Sequence, residues 1–307
     1  GLKVSAVGFG GIPIQRIDAR GTRALMERLV EKGVNYIDTA RGYTVSESYL
    51  GEALSGGLRE KFILATKSMS RGYADMARDI GISLSNLRTD YIDLYQLHNI
   101  KSDADFELAF SAEGAVAAIQ DAIRAGKVGH LGATAHSVDS FERLLSYPEI
   151  ETIMFPYNIV ESQGEALMER AAAQNVGVIA MKPLAGGNIT DGTLAMRYIL
   201  QNKTCTLAIP GMATLEEIEQ NTAAAEQDGC EAIRAGLSGN FCRRCGYCAP
   251  CTVGIDIPGI FTLENYLKHY DLADWARSRY ESQTARAGDC IGCGKCEARC
   301  PYELPIR

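Results

Sequence analysis

Short apolar runs rich in β-branched residues alternate with amphipathic stretches over the first three quarters of the chain. The runs are typical of buried strands, and apolar residues at helical spacing predict helices between them. The predicted strands are residues 4–10, 35–39, 62–67, 91–98, 130–134, 152–157, 177–182 and 206–210. The predicted helices are residues 22–32, 47–54, 73–87, 114–125, 138–146, 165–174, 193–201 and 215–227. Eight such pairs favour a closed α/β barrel, the (β/α)8 TIM barrel, over an open doubly wound sheet.

The pattern changes after the eighth predicted helix. Residues 228–241, rich in Gly and Ala, are predicted to connect the barrel, residues 1–227, to a cysteine-rich domain, residues 242–307. In that domain residues 257–280 have helical spacing and contain Trp275, the only tryptophan. No Gly-x-Gly-x-x-Gly turn opens a helix anywhere, so a Rossmann domain is not expected.

Eight of the ten cysteines crowd into the last 66 residues, at spacings that favour metal ligation over disulfides. The two runs are Cys242, Cys245, Cys248 and Cys251, then Cys290, Cys293, Cys296 and Cys300. Runs of Cys-x2-Cys-x2-Cys with a later Cys-Pro hold three corners of an iron-sulfur cube, and the other run supplies the fourth ligand. We therefore predict two [4Fe-4S] clusters in preference to a zinc site.

The ferredoxin rule assigns the ligands of each cluster. One cluster takes Cys242, Cys245, Cys248 and Cys300, and the other takes Cys251, Cys290, Cys293 and Cys296. The first run departs slightly, because two residues rather than three precede Cys251 and Thr252 stands where proline is usual. Cys205 and Cys230 lie outside both runs and are expected to be ordinary buried thiols.

Composition narrows the class of protein. The chain is 307 residues long and 46% hydrophobic, with a net charge of −7, which suits a large globular domain and argues against a nucleic-acid surface. No run of 18 apolar residues and no signal peptide is present, so no membrane association and a cytoplasmic location are expected.

Three predicted strands deliver ionisable groups at their C-terminal ends, where barrel enzymes collect catalytic residues. Asp38 ends the second strand and is followed by a glycine turn carrying Tyr43, Lys67 ends the third and His98 ends the fourth. Each residue alone is more typical of a surface charge, a loop aromatic or a satisfied core histidine, but the four together predict a carbonyl reductase site. Lys67 would lower the pKa of the Tyr43 phenol, and neutral His98 would orient the carbonyl.

Residues 2–227 resemble an aldo-keto reductase. The resemblance rests on Asn-Tyr-Ile-Asp-Thr-Ala with the following Gly-Tyr, on Ala-Thr-Lys and on Leu-Tyr-Gln-Leu-His. It implies that Tyr43 is the acid/base, that Lys67 and Asp38 tune it, that His98 orients the substrate and that nicotinamide binds in the barrel mouth. Met-Lys-Pro-Leu-Ala-Gly-Gly and the tail's Cys-Gly-Tyr-Cys and Ile-Asp-Ile-Pro are similar to the subgroup with a C-terminal, α-helical, ferredoxin-like iron-sulfur domain.

The same resemblance suggests how the cofactor binds. NADP-preferring members carry Lys and Arg where this chain has Gly211 and Glu217, so a 2′-phosphate would meet a carboxylate and NADH is favoured over NADPH. Thr134-Ala135, Met154 and Met181-Lys182 depart from the usual nicotinamide contacts, which leaves open a barrel that binds another cofactor or has little reductase activity. The resemblance to the subgroup implies instead that these departures are a subgroup trait. The predicted cofactor contacts are Gly11, Ile12, Asp38, Thr134, Met154, Met181, Lys182, Pro183, Leu184, Gly211, Met212, Glu217, Gln220 and Asn221.

Two functions follow as hypotheses. The first is reversible hydride transfer between NAD(H) and a small carbonyl or alcohol, with clusters that are structural or relay electrons. The second is a one-electron transfer protein whose barrel binds a nucleotide or metabolite as a sensor or docking surface. Nicotinamide gives two electrons and each cluster accepts one, so a flavin coupling them is not excluded, and an electron-transfer protein is a candidate partner.

Overall fold

The barrel is formed by eight parallel strands in sequential order. The structure is a computed structural model that describes residues 1–223 and 241–307. The strands are β1 Phe9–Gly10, β2 Tyr36–Asp38, β3 Ile63–Ser68, β4 Ile92–Leu97, β5 Val128–Thr134, β6 Thr152–Pro156, β7 Gly177–Met181 and β8 Leu207–Ile209. Parallel bridges between Val7 and Ala208 and between Gly10 and Gly211 join the first strand to the last. The predicted TIM barrel is thus confirmed.

Helices surround the strands. They are α1 Ala19–Glu31, α2 Ser46–Ala53, α3 Tyr73–Asn86, α4 Asp103–Ala109, α5 Ala115–Arg124, α6 Val138–Leu144, α7 Glu165–Ala173, α8 Gly192–Gln201 and α9 Leu215–Thr222. Of these, α1, α4, α6, α8 and α9 begin at side-chain caps. Short 3-10 turns occupy Pro13–Arg16, Arg59–Lys61 and Ala287–Asp289. The first helix starts earlier than predicted because the Asp18 side chain accepts a hydrogen bond from Gly21 N.

Two of the predicted elements end at other residues than the structure shows. The first strand is shorter than residues 4–10, because Ser5 and Asn35 pair through side chains instead of a continuous ladder. The described part of the last barrel helix ends at Thr222, and residues 224–227 of the prediction lie outside the described residues. The same holds for most of the predicted connector, of which Phe241 is described. The acidic segment that follows the fourth strand, residues 101–112, forms α4, which is capped by Ser102.

The barrel interior is filled by strand side chains that alternate with those facing the helices. Its inner cluster contains Tyr36, Ala65, Leu94, Met154, Ile179, Met181, Leu207 and Ile209. These side chains fill the interior of the barrel. Polar groups at the C-terminal ends of the strands are therefore accessible only from that end of the barrel, its mouth.

The cysteine-rich tail covers that mouth. Its helices are α10 Ile257–His269, α11 Ala273–Glu281 and α12 Lys295–Ala298. Arg279 of α11 donates a hydrogen bond to Gly42 O at 3.1 Å, next to Tyr43. Gly187, at φ 90°, lies so close to α10 that an added Cβ would come within 2.7 Å of His269 Cβ. None of the helices in the described ranges has the length and apolar character needed to cross a membrane.

Candidate active site

Asp38 and Lys67 form a buried ion pair at the mouth. Their strands are neighbours in the sheet, which brings the two side chains together. Lys67 Nζ lies 2.5 Å from Asp38 Oδ2 and also donates to Thr39 O at 2.8 Å. Gln96 Nε2 donates to the other carboxylate oxygen, Oδ1, at 3.2 Å. Both side chains of the pair are at most 3% exposed, so solvent does not screen their attraction.

Burial dominates the electrostatics of this pair. It raises the pKa of Asp38 and lowers the pKa of Lys67, and the attraction between the two opposes both shifts. Because the two groups lie so close together, their charges largely cancel at a distance. The pair therefore offers nearby groups an ammonium N–H donor rather than a strong net positive field.

Tyr43 and His98 meet edge to face beside the pair. Their ring centroids are 5.9 Å apart at an interplanar angle of 87°. Lys67 Nζ lies 4.9 Å from the Tyr43 ring centroid. The turn carrying the phenol is closed by a hydrogen bond from Tyr43 N to Ala40 O. All four predicted catalytic side chains are thus brought to one place.

The protonation states differ in part from the expectation that Lys67 would lower the pKa of Tyr43. Burial, with the charge of Asp38, raises the pKa of Tyr43 well above its usual value. Burial, followed by Lys67 and Arg71, holds the pKa of His98 well below its usual value. The phenol is therefore protonated and the imidazole neutral near pH 7. His98 Nδ1 is buried without a hydrogen-bond partner in residues 1–223 and 241–307.

A chamber of about 1160 Å³ opens above these residues, between the barrel mouth and the tail. This volume is large enough for a dinucleotide and a small substrate. Most of the predicted cofactor contacts line it. They are Gly11, Ile12, Asp38, Thr134, Met154, Met181, Lys182, Pro183, Leu184, Gly211 and Glu217. The fold places the other three elsewhere: Met212 is fully buried in the core, Asn221 is buried and Gln220 is exposed on α9.

The tail supplies chamber residues that the sequence did not reveal. They are Arg244, Tyr266, Tyr270, Trp275 and Arg279, and His136 joins them from the barrel. Trp275 packs edge-on against Tyr266, at a centroid distance of 4.8 Å, and beneath the Arg279 guanidinium. The only sequence signal was the pair of arginines inside the first cysteine run. Docking of α10 and α11 on the mouth depends on contacts between residues more than 200 positions apart in the sequence. Local sequence patterns do not predict such contacts.

The eight tail cysteines are divided between two cavities. One is lined by Cys242, Cys245, Cys248 and Cys300, and the other by Cys251, Cys290, Cys293 and Cys296. This division is the one the ferredoxin rule predicts. In the described parts of the chain no three His, Cys, Asp or Glu side chains converge as the site of a single ion would require. A [4Fe-4S] cube is bound by four thiolates, one at each iron corner, so its ligands do not converge on one point. Four cysteines spread round a cavity therefore fit this cluster.

A TIM barrel with this mouth and a tail with eight paired cysteines together define an oxidoreductase with an iron-sulfur domain. A family model described as the aldo/keto reductase family matches residues 6–193, and one described as a 4Fe-4S dicluster domain matches residues 241–305. The chain therefore belongs to the aldo/keto reductase family and carries a C-terminal 4Fe-4S dicluster domain.

Relatives agree with this assignment. The chain is 28% identical over 280 residues to an L-galactose dehydrogenase of Arabidopsis thaliana, covering 74% of this chain and 86% of that one. It is 28% identical over 236 residues to a methylglyoxal reductase of Escherichia coli, covering 68% and 80%.

Solved structures agree as well. The holo form of an aldo-keto reductase from Bacillus halodurans has a TM-score of 0.66 at 25% identity, covering 77% of this chain and 92% of that one. An aldo-keto reductase from Klebsiella pneumoniae in complex with NADPH has a TM-score of 0.63 at 25% identity, covering 76% and 90%.

Proposed function

We propose that this protein reduces a small carbonyl compound with NADH, reversibly, in the chamber between the barrel and the tail. The observation that carries the proposal is the meeting of a protonated Tyr43 and a neutral His98 beside the buried Asp38–Lys67 pair. A reductase needs a proton donor and a neutral hydrogen-bonding group at the carbonyl oxygen, and these two residues are suited to those roles.

Each side chain then has a task. Chamber residues such as Thr134, Met154 and Met181 would hold a reduced nicotinamide, which would supply the hydride for the carbonyl carbon. Tyr43 gives its phenolic proton to the carbonyl oxygen, and the Lys67 ammonium offers an N–H donor to the phenolate left behind. Asp38 holds the ammonium in place, and His98 orients the carbonyl oxygen.

The proposed preference for NADH is supported at the adenosine end of the chamber. Glu217 Oε2 accepts hydrogen bonds from Ala213 N at 2.6 Å and Thr214 N at 3.0 Å, which fixes a negative charge at the start of α9. A 2′-phosphate approaching this turn would be repelled and would lose the backbone donors that the carboxylate already occupies.

For the tail we propose two [4Fe-4S] clusters, each held by the four cysteines of one cavity. When bound, the clusters supply one-electron storage. Cys290 and Cys293 are exposed, so the second cavity lies where an electron-transfer protein can approach. Cys245 and Cys248 of the first cavity also line the chamber. This contact favours an electron relay over a purely structural role, and it supports the second candidate function, a one-electron transfer protein.

Replacing Tyr43 by Phe tests the proposal. The variant keeps the ring and loses the proton donor, so turnover of a panel of aldehydes and ketones should fall by a factor of about 10²–10⁴. The visible absorption of the clusters should be unchanged. Tyr49→Phe is the matched control, because Tyr49 lies on α2 outside the chamber lining. Full turnover in Tyr43→Phe would contradict the assignment of Tyr43 as the proton donor.

A further inference from the structure

The side of the chamber above β2, β3 and β4 has a positively charged wall. Its lining residues come from the loops that follow these strands and from the end of α11, and they include Lys101 and Arg279. Among the described residues that line this side, the only carboxylate is that of Asp38, and the Lys67 ammonium already engages it at 2.5 Å. A ligand that reaches this side therefore meets cations that no carboxylate of the wall balances.

Arg279 reaches this side of the chamber from the tail. Its Nη2 donates a hydrogen bond to Gly42 O at 3.1 Å, and its guanidinium carbon lies 4.4 Å from the centroid of the Trp275 ring. The side chain is exposed, and in residues 1–223 and 241–307 no carboxylate forms an ion pair with it. A guanidinium has five N–H donors in a planar fork, so its bond to Gly42 leaves donors for a ligand. The ring of Trp275 beneath it holds the fork in place.

The same guanidinium lies close to the reacting groups. Gly42, to which it is bonded, directly precedes Tyr43 in the chain. The charge of Arg279 also contributes to lowering the pKa of His98, after burial as the main cause. A molecule whose carbonyl oxygen lies between the Tyr43 phenol and the His98 ring is therefore within reach of Arg279 with its other end.

The proposed nicotinamide contacts lie across the mouth from Arg279. Thr134, Met154 and Met181 belong to β5, β6 and β7. In a closed barrel of eight strands in sequential order, β6 lies opposite β2, and Arg279 is bonded to the loop that follows β2. The cofactor and Arg279 are thus on different sides of the chamber, which leaves Arg279 to the substrate.

We propose that Arg279 binds a carboxylate of the carbonyl substrate, so that the substrate class is an aldehyde or ketone that carries an acid group. The inference rests on the proposed function, which puts the carbonyl oxygen between Tyr43 and His98. A planar guanidinium matches the two oxygens of a carboxylate, and hydrogen bonds between charged groups are stronger than those between neutral groups. The tail then takes part in substrate recognition in addition to holding iron-sulfur clusters.

Binding of alcohols to the cluster-loaded protein tests this without turnover. In the presence of NADH, which does not react with an alcohol, calorimetry gives the affinities for 3-carboxybenzyl alcohol, 4-carboxybenzyl alcohol and benzyl alcohol. Each carboxylated alcohol is compared with benzyl alcohol as a ratio of affinities. In the wild type at least one ratio should be about tenfold or more, and Arg279→Met should lower that ratio about tenfold or more, because a charged hydrogen bond is lost.

The ratio separates recognition of the carboxylate from a change in the fold. Loss of the hydrogen bond to Gly42 acts on the turn that carries Tyr43, and such a change lowers the affinity for all three alcohols alike and cancels in the ratio. Arg279→Lys keeps the charge and should retain part of the preference. Arg277→Met is the matched control, because Arg277 is exposed on the same helix outside the chamber lining.

Two results would overturn the inference. One is a wild-type ratio below about twofold for both carboxylated alcohols, and the other is a ratio that Arg279→Met leaves unchanged. The matching aldehydes test turnover separately: kcat/KM for the preferred carboxybenzaldehyde relative to benzaldehyde should fall in Arg279→Met by the same factor as the affinity ratio. If no aldehyde is reduced while the affinity ratio still falls, the carboxylate site of Arg279 stands and the proposed reduction fails.

Discussion

At the scale of single residues, the phenol of Tyr43 combines two properties. It is close enough to Lys67 to be stabilised as a phenolate, and yet burial and Asp38 raise its pKa. The high pKa keeps the proton available over the physiological range. An alkoxide is a stronger base than a phenolate, so the proton still moves to the product oxygen when the carbonyl is reduced.

This protonation state predicts different pH profiles for the two directions. Below its raised pKa Tyr43 is protonated, so kcat/KM for reduction should be flat between about pH 6 and 9. Alcohol oxidation needs the phenolate, whose population rises about tenfold per pH unit below the pKa, so its kcat/KM should rise accordingly. His98 is neutral throughout and adds no step. A loss of reduction between pH 7 and 8 would contradict this protonation state.

Glu217 gives a second prediction at this scale. In Glu217→Gln the amide oxygen can still cap α9 while the negative charge is removed. The ratio of kcat/KM for NADPH to that for NADH should therefore rise about tenfold. Glu216→Gln, in the same first turn but outside the chamber lining, should leave the ratio unchanged. An unchanged ratio in Glu217→Gln would remove the basis for NADH preference.

At the scale of elements, a buried ion pair between Arg244 and Glu161 joins the first cysteine loop to the barrel. The Arg244 and Glu161 side chains are 4% and 0% exposed. Such a pair contributes little net stability compared with apolar residues, but removing one partner leaves a buried charge uncompensated. The pair is therefore a buried contact between the first cysteine loop and the barrel whose loss leaves an unpaired charge, beside contacts such as Arg279 to Gly42 O.

Replacing Arg244 tests how much this ion pair contributes to stability. Arg244→Met should lower the free energy of unfolding by about 3–5 kcal/mol, and adding Glu161→Gln should recover most of the loss. Trp275, the only tryptophan, lies in the tail and reports the transition by fluorescence in denaturant. Arg124→Met, which removes an exposed pair with Asp121, should cost less than about 1 kcal/mol. Equal losses in the two variants would contradict the anchoring role.

At the scale of the whole molecule, the barrel was predictable because its signal is local and repeated. Each apolar run and each amphipathic helix shows its own periodicity, and parallel strands with right-handed crossovers leave few other topologies. The ends of elements were less predictable. Asp18 extends α1 through a cap, and Ser5 pairs with Asn35 in place of a longer first strand.

The site was predictable only in part. Asp38, Tyr43, Lys67 and His98 follow strands and could be grouped from their order alone. Their protonation could not be predicted, because the pKa of Tyr43 is raised by burial and then by Asp38, Tyr266 and Tyr270, and the last two tyrosines come from the docked tail. Met212 was predicted as a cofactor contact because residues 209–221 resemble the adenosine-binding segment of the family, and its side chain packs into the core.

The central claim is that electrons reach the substrate as a hydride in the chamber, rather than one at a time through the tail. Both routes end at the same cavity, because cysteines of the first cluster loop and Tyr43 line it together. Consumption of NADH alone does not separate them. The origin of the new hydrogen on the product carbon does, because a hydride carries its nucleus with it and single electrons do not.

The most direct measurement is therefore anaerobic reduction of an aldehyde with NADH deuterated at both C4 positions, followed by mass spectrometry of the alcohol. Direct transfer predicts one deuterium on the carbinol carbon of every product molecule, with the Tyr43 proton on oxygen exchanging with water. Protium from water at the carbinol carbon would contradict the account and assign the reduction to the clusters.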